Sequence, residues 1–364
     1  MNTKMEQGHR ARLERWLTDV WYGKRRATGV LGWVLSCLSA IYSFARMFTQ
    51  QDNKAKLAKS NTEPKVLVIG NLIAGGAGKT PIVMAVCQHL KKTGLRVGVV
   101  SRGYGRNASK VALIDQSSAT GANLTGLAKA FGDEPVFLMQ VTGCPVAVGQ
   151  DRPAAVALLL NKHPDLDLIV ADDGLQHHRL QRSLEWVVFD DRGQGNGRLI
   201  PAGPLREPLQ RLDCVDAVLA SNVTCDQLEK LLGTPRGPNW HEVRVSLDGF
   251  EQPLTGKKLN LTQALAQWES LGIASFSGLG NPEKLFGALR QAGFALTNTV
   301  ALPDHHDYAD GFCQRFQEDV LITSGKDAVK LWPHDPRVWI ANIQVVLPAP
   351  LKQALEDHIG RSTD

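Results

Sequence analysis

The chain has 364 residues, enough for two domains at the usual ~100–200 residues each, and can bury a substantial core. Charged residues make up 21% and hydrophobic residues 43%, with 34 glycines and 18 prolines, a balance that excludes disordered, collagen-like and polytopic membrane classes. The formal net charge is +5, but residues 1–60 hold 11 Lys/Arg against 4 Asp/Glu, a local +7 that leaves −2 on the other 304, so the basic charge suits an anionic membrane surface better than a nucleic-acid-binding fold. Six dispersed cysteines without a Cys-x-x-Cys pair suggest neither a zinc ribbon nor a disulfide framework and read as reduced, cytosol-facing thiols.

From Ala27 to Ala45 run 19 residues without a charge, close to the ~20 that span a bilayer. At helical spacing Arg25, Gly29, Gly32, Ser36, Ser39, Ser43 and Arg46 share one side, while Val30, Trp33, Leu38, Ile41 and Phe44 are among those covering the rest. Such a helix can lie in the membrane interface as well as cross it. Basic residues flank both ends (Lys24, Arg25, Arg26; then Arg46, Lys54, Lys56, Lys59), so charge does not choose an orientation. The expectation is a cytoplasm-side anchor, weighed against a buried soluble helix and a cleaved signal peptide, whose apolar run is usually shorter and nearer the start. Residues 49–63 read as a polar linker.

Lys65–Gly70 (KVLVIG) predicts a strand, followed by NLIAGGAGKT over residues 71–80 and then a helical apolar pattern through Leu90. Strand, glycine loop and helix form the context of a phosphate-binding loop, in which backbone N–H groups of Gly75, Gly76, Ala77 and Gly78 cradle phosphate oxygens. Lys79 would reach the β and γ phosphates and Thr80 would ligate Mg²⁺. The loop departs from G-x-x-x-x-G-K-[ST], because Ile73 stands six residues before Lys79. Further strands are expected at 95–100, 166–171 and 186–189, alternating with helices at 81–92 and 151–162. That alternation predicts a doubly wound, mostly parallel α/β sheet of the P-loop NTPase type, with ligands at the strand carboxyl ends.

Asp172 and Asp173 end one of these strands beside a glycine, where a P-loop fold holds Mg²⁺ or a water; a plain Asp-Asp-Gly turn is the bland reading. Asn161-Lys162 is followed by His163-Pro164, which disfavours a GTPase. Ala74 stands where membrane-associated partition ATPases carry the first Lys of their deviant loop, which disfavours that class. Asp133 and Glu134 in GDEP, and the cluster Asp304-His305-His306-Asp307, offer acid and imidazole chemistry, though each alone reads more often as a solvated turn. Ile200–Pro208 reads as an ordered loop carrying Arg206 and Glu207, a phosphate-neutralising and Mg²⁺-directed pair or a surface ion pair.

Taken in order, GNLIAGGAGKTP, SRGYGR, GDEP, ADDGLQH, IPAGPLREP, SGLGNPEKLF, LPDHHDY and KDAVK resemble the tetraacyldisaccharide 4′-kinase family of lipid A biosynthesis over about residues 10 to 350. PAGPLRE and DDG-x-QH are peculiar to that family. The resemblance implies a P-loop core, a membrane-contacting N-terminal helix and a smaller C-terminal α/β lobe, acting at the cytoplasmic face of the bacterial inner membrane. It implies transfer of the ATP γ-phosphoryl to the 4′-hydroxyl of a tetraacylated glucosamine disaccharide 1-phosphate. The glycolipid and the membrane surface would be its partners, with no nucleic acid and no obligate protein partner. By the same resemblance Asp133 acts as base with help from His305, Asp172 and Asp173 serve the metal and phosphates, and Arg206 and Glu207 join the phosphate and metal network.

Domain limits expected on this basis are 1–60 for the helix and linker, 61–215 for the kinase core and 216–364 for the second lobe with its linker strands. The family's Thr-Glu-Lys-Asp-Ala appears as Thr323-Ser324-Gly325-Lys326-Asp327-Ala328, so this segment is set outside the candidate site. A membrane-docked P-loop ATPase working as a nucleotide-dependent switch is the rival expectation.

Overall fold

The computed structural model describes residues 13, 16–23, 25, 28–51, 64–104, 106, 110–119, 124–331 and 335–360, with backbone alone for 47–51. Its chain forms two compact units, each assembled from separated stretches: the described parts of 1–79, 173–244 and 348–364, and those of 80–172 and 245–347.

In the first unit, helix α1 (Gly29–Gln51) precedes strand β1 (Lys65–Gly70). The expected linker over 49–63 gives way to helix as far as Gln51; beyond that it lies outside the described residues, as do Lys24, Arg26, Lys54, Lys56 and Lys59. β1 is buried along almost its whole length, as expected of a β-branched run covered on both faces of a parallel sheet. It pairs in parallel with a later strand, Leu184–Phe189, which pairs with another, Ala217–Ser221, and that with the start of a third, Trp240–Glu251. Helix Cys225–Leu232 opens with a capping box, Thr224 accepting from the Gln227 N–H while Gln227 accepts from the Thr224 N–H.

The outward face of α1 is apolar: Val30 is 80% exposed, Trp33 69%, Ile41 65% and Phe44 62%. Its other face is polar and docked. Ser39 Oγ donates to the Leu199 carbonyl at 2.9 Å, Tyr42 Oη to that of Arg206 at 3.0 Å, and Arg46 pairs with Glu207 at 3.2 Å. The serine stripe predicted from helical spacing is thus the side that meets the 198–207 loop.

The second unit contains helix α2 from its second residue on (Lys79–Lys92) and strand β2 (Val97–Ser101). It also contains β3 (Ala112–Ile114), helices α3 (Gln116–Ala119), α4 (Leu124–Phe131) and α5 (Asp133–Thr142), and β4 (Val146–Val148). Helix α6 (Arg152–Lys162) and β5 (Leu168–Asp172) follow. β5, β2 and β4 pair in parallel, and β3 caps β4 antiparallel. Asp151 caps α6 through the Ala154 N–H, with Pro153 in its first turn, which is why the helix starts where the sequence places it.

The same unit holds a second parallel set: Leu296–Ala301, Ile273–Ser277, Val320–Ser324 and Val338–Val346, in that spatial order. Its core packs Phe250, Trp268, Phe294 and Trp339 with ring centroids 4.8–5.8 Å apart. The strands therefore form the mostly parallel α/β arrangement expected of the sequence.

Candidate functional site

In the first unit the glycine loop leaves β1 at Asn71, which is fully buried and shapes it. Its amide donates to the carbonyls of Ile73 at 2.8 Å and Gly75 at 3.0 Å, and its oxygen accepts from Lys79 Nζ at 3.1 Å. Gly75 (φ 90°) and Gly78 (φ 79°) take left-handed conformations that a side chain would strain, and Arg192, held by Asp190, donates to the Gly76 carbonyl at 2.8 Å. The loop is braced by the IPAGPLREP segment: Ala74 N–H donates to Pro204 at 2.7 Å and Arg206 N–H to Leu72 at 2.6 Å.

Beyond the loop, Asp173 lies 3.3 Å from Lys79 Nζ and 3.1 Å from the Arg206 guanidinium. Burial alone would raise the Asp173 pKa, but Lys79 and Arg206 outweigh it and hold the carboxyl below its ordinary range. Arg206 also donates to Gln176 at 3.2 Å, and Gln176 donates to the Asn71 carbonyl at 3.2 Å and to Glu207 at 3.0 Å. Lys79, Asp173 and Arg206 are thus brought together as expected. Glu207 is different: it is fully buried, with Arg46 at 3.2 Å and Arg211 at 3.6 Å, so its carboxylate faces guanidinium groups where the sequence suggested a metal.

The second unit holds Thr80, Asp133, Asp172 and His305. Asp133 begins α5 and is buried to 4% exposure, so GDEP is no solvated turn. Both its oxygens lie 3.0 Å from His305 Nδ1, and Oδ2 lies 3.0 Å from Lys330 Nζ. A carboxylate accepts only, so Nδ1–H is the donor to Asp133, while Nε2 lies 3.4 Å from Lys326 Nζ. Burial pushes the Asp133 pKa up, but the His305 hydrogen bond and the charges of Lys326 and Lys330 pull it down further, to well below the carboxylate range. Burial likewise works against the charge on Lys326, yet Glu134, Asp133 and Asp304 raise its pKa.

His305 adopts φ 57°, its N–H donates to the Gly278 carbonyl at 3.2 Å, and its ring lies 4.8 Å from that of Tyr104. Fully buried Asp327 fixes the surroundings: it accepts from Gly278 N–H at 3.1 Å, Tyr308 at 2.8 Å and Ser324 at 2.7 Å. The segment set aside in the sequence therefore belongs here, supplying Lys326, Asp327 and Lys330. Gly325 explains how: a Cβ there would overlap the Phe137 ring of α5, so glycine lets this turn pack against the helix that bears Asp133.

Thr80 Oγ1 donates to Glu134, and Asp172 is buried at the end of β5. Among the described residues no three His, Cys, Asp or Glu side chains converge as a metal cage. A hydroxyl and carboxylates are nevertheless the hard-oxygen donors that suit Mg²⁺, which is usually held by one or two protein oxygens together with substrate phosphates.

Residues 31–360 match the family described as Tetraacyldisaccharide-1-P 4′-kinase, LpxK. The chain belongs to this family. Among similar proteins, the tetraacyldisaccharide 4′-kinase of Bordetella petrii is 37% identical over 317 residues, 87% of each chain. That of Janthinobacterium sp. is 35% identical over 372 residues, covering 97% of this chain and 98% of its own. The fold matches the crystal structure of "apo" form LpxK from Aquifex aeolicus in complex with ATP, with a TM-score of 0.72 and 24% identity over 91% of this chain and all of that one. The family resemblance read from the motifs and the P-loop fold are both borne out. Asn71, Gln176, Lys326 and Lys330 were not candidates from sequence; KDAVK was the one motif that pointed to the last two.

Proposed function

We infer that the protein is an ATP-dependent kinase that phosphorylates the 4′-hydroxyl of a tetraacyldisaccharide 1-phosphate, a lipid A precursor. Family membership carries this reading. The coexistence of a phosphate loop with a buried, hydrogen-bonded Asp133–His305 pair supports it chemically. A nucleotide-dependent switch would need the first feature and has no use for the second.

In this mechanism the backbone N–H groups of Gly75, Gly76, Ala77 and Gly78 bind the ATP phosphates, and Lys79 and Arg206 neutralise charge developing on the transferred group. Asp173 and Asn71 hold those two cations in place before ATP arrives. Thr80, Asp172 and Asp173 would supply oxygens for Mg²⁺, an ion whose charge would offset that of the phosphate oxygens. Asp133, ionised at every physiological pH, accepts a hydrogen bond from the acceptor hydroxyl and aligns it; a strongly acidic carboxylate suits a loose transition state, in which the hydroxyl proton leaves late. His305 keeps the carboxylate oriented through Nδ1–H, and the hydroxyl proton, as it leaves, passes to the Asp133 carboxylate that already accepts its hydrogen bond. Glu207 acts by positioning Gln176.

The apolar outer face of α1, with mean hydropathy 1.3 over Gly29–Arg46 and most of that stretch exposed, supports docking in the cytoplasmic leaflet of the inner membrane. Because its opposite face is tied to protein at Ser39, Tyr42 and Arg46, we assign it to the interface.

The test is phosphate transfer from γ-labelled ATP with Mg²⁺ to tetraacyldisaccharide 1-phosphate in mixed micelles, beside a no-lipid control. Labelled bisphosphorylated lipid is expected. Phosphate release independent of the lipid would favour the switch instead.

A further inference from the structure

Two turns of α1 grip the segment that carries Arg206 and Glu207, through Ser39 on Leu199, Tyr42 on the Arg206 carbonyl and Arg46 on Glu207. From Glu207 the contacts continue to Gln176 at 3.0 Å, from Gln176 to Arg206 at 3.2 Å, from Arg206 to Asp173 at 3.1 Å and from Asp173 to Lys79 at 3.3 Å. Glu207 is fully buried, and its ion pair with Arg211 at 3.6 Å is weakened because Arg211 also pairs with Glu185 at 2.5 Å. Arg46 itself, on the helix whose far side is apolar, is only 13% exposed. A basic residue serving simply as a lipid-headgroup contact would point outward with its charge in water; this one points at a carboxylate in the protein interior.

We propose that Arg46 is a positioning residue, through which the membrane-facing helix fixes Glu207, Gln176 and hence Arg206 for phosphoryl transfer. The inference rests on the kinase reading. Loss of the Arg46 charge leaves Glu207 under-compensated in a water-poor site, and the carboxylate then pulls Gln176 or Arg211 out of place. Lys79 and the glycine loop stay where they are, so the defect falls on turnover more than on lipid capture.

The experiment uses the full chain, γ-labelled ATP and tetraacyldisaccharide 1-phosphate in anionic phospholipid vesicles. Arg46→Met is expected to lower kcat roughly tenfold to a hundredfold, the scale of a small misplacement of a phosphate-orienting group. Vesicle flotation and the KM for lipid should stay within about twofold of wild type, since binding common to ground and transition states is untouched. Arg46→Lys should recover most of the rate, and Arg46→Met combined with Glu207→Gln should be no slower than Glu207→Gln alone, as expected of two residues acting on one path. Additive losses, or a defect confined to flotation and lipid KM, would overturn the proposal. If Arg46→Met does not fold, Tyr42→Phe removes a single hydroxyl from the same grip: a lowered kcat with normal flotation supports the proposal, an unchanged kcat sinks it. Should wild type label no lipid, the kinase reading fails, and the coupling is read from the rate of ATP hydrolysis, which the same variants must lower non-additively.

Discussion

Replacing Asp133 by Asn keeps the shape of the side chain and removes its charge, which separates the electrostatic role of the residue from its packing. At an effective dielectric of about 20, the 3.0 Å contact with Lys330 alone represents roughly 5–6 kcal/mol of gross attraction. Desolvation of both ions offsets part of this, and breaking such a buried pair from one side costs about 3–5 kcal/mol. Both side chains are under 10% exposed, so little solvent screening reduces that figure. At roughly 2 °C per kcal/mol, a modest value for a chain of this size, Asp133→Asn should lower the unfolding midpoint by about 5–10 °C. The same change should cut kcat by about 10²–10⁴ while ATP affinity is retained, because the proposed mechanism gives the carboxylate to the acceptor hydroxyl and the phosphates to the glycine loop. Adding Lys330→Met should return much of the stability, since it removes the stranded ammonium, without returning the rate. Differential scanning fluorimetry and single-turnover transfer read the two effects separately. An Asp133→Asn protein with unchanged melting and turnover within about threefold of wild type would refute the reasoning, since neither a buried pair nor a hydroxyl-aligning base would then exist.

Lys79→Ala should abolish labelled lipid and weaken ATP binding together, and equilibrium binding of ATP beside the transfer assay distinguishes it from Asp133→Asn. Asp133 and Asp173 both have folded pKa values below the ordinary 3.8, so their contribution to stability is complete above that value and is lost as pH falls through the lower native ones. Unfolding midpoints should therefore hold steady from pH 8 to about 5 and fall below it, with a shallower fall in Asp133→Asn; a slope that is the same in both proteins would contradict this. Gly325→Ala drives a methyl group into the Phe137 ring, and should cost about 1–3 kcal/mol of stability and reduce kcat without changing ATP affinity. Thermal melts and transfer rates check both.

Local patterns were legible where burial repeats along the chain. KVLVIG is a strand over the residues expected, and the helix expected at 151–162 runs from Arg152 to Lys162. The phosphate loop was readable because strand, glycines and Gly-Lys-Thr are contiguous. Asp133 and His305 stand 172 residues apart, and no spacing rule joins them; the family motifs did, and chain topology brings the side chains to 3.0 Å. Lys326 and Lys330 were missed because the lost Glu and added Gly disguise their motif, although the turn itself keeps Asp327 as its anchor. Glu207 was misjudged for a physical reason: a carboxylate beside a phosphate site suggests a cation, and sequence does not reveal that Arg46, over 160 residues earlier, supplies one.

The two faces of α1 answer to different constraints, and this opens a route to a detergent-free enzyme. Val30, Trp33 and Ile41 are 65–80% exposed on the outward face, so Glu, Gln and Lys can be written over them at good helix propensity. Ser39, Tyr42 and Arg46 must be kept, because they hold the loop from within. Cutting the helix away to gain solubility would discard both faces at once, and with them the support beneath Arg206.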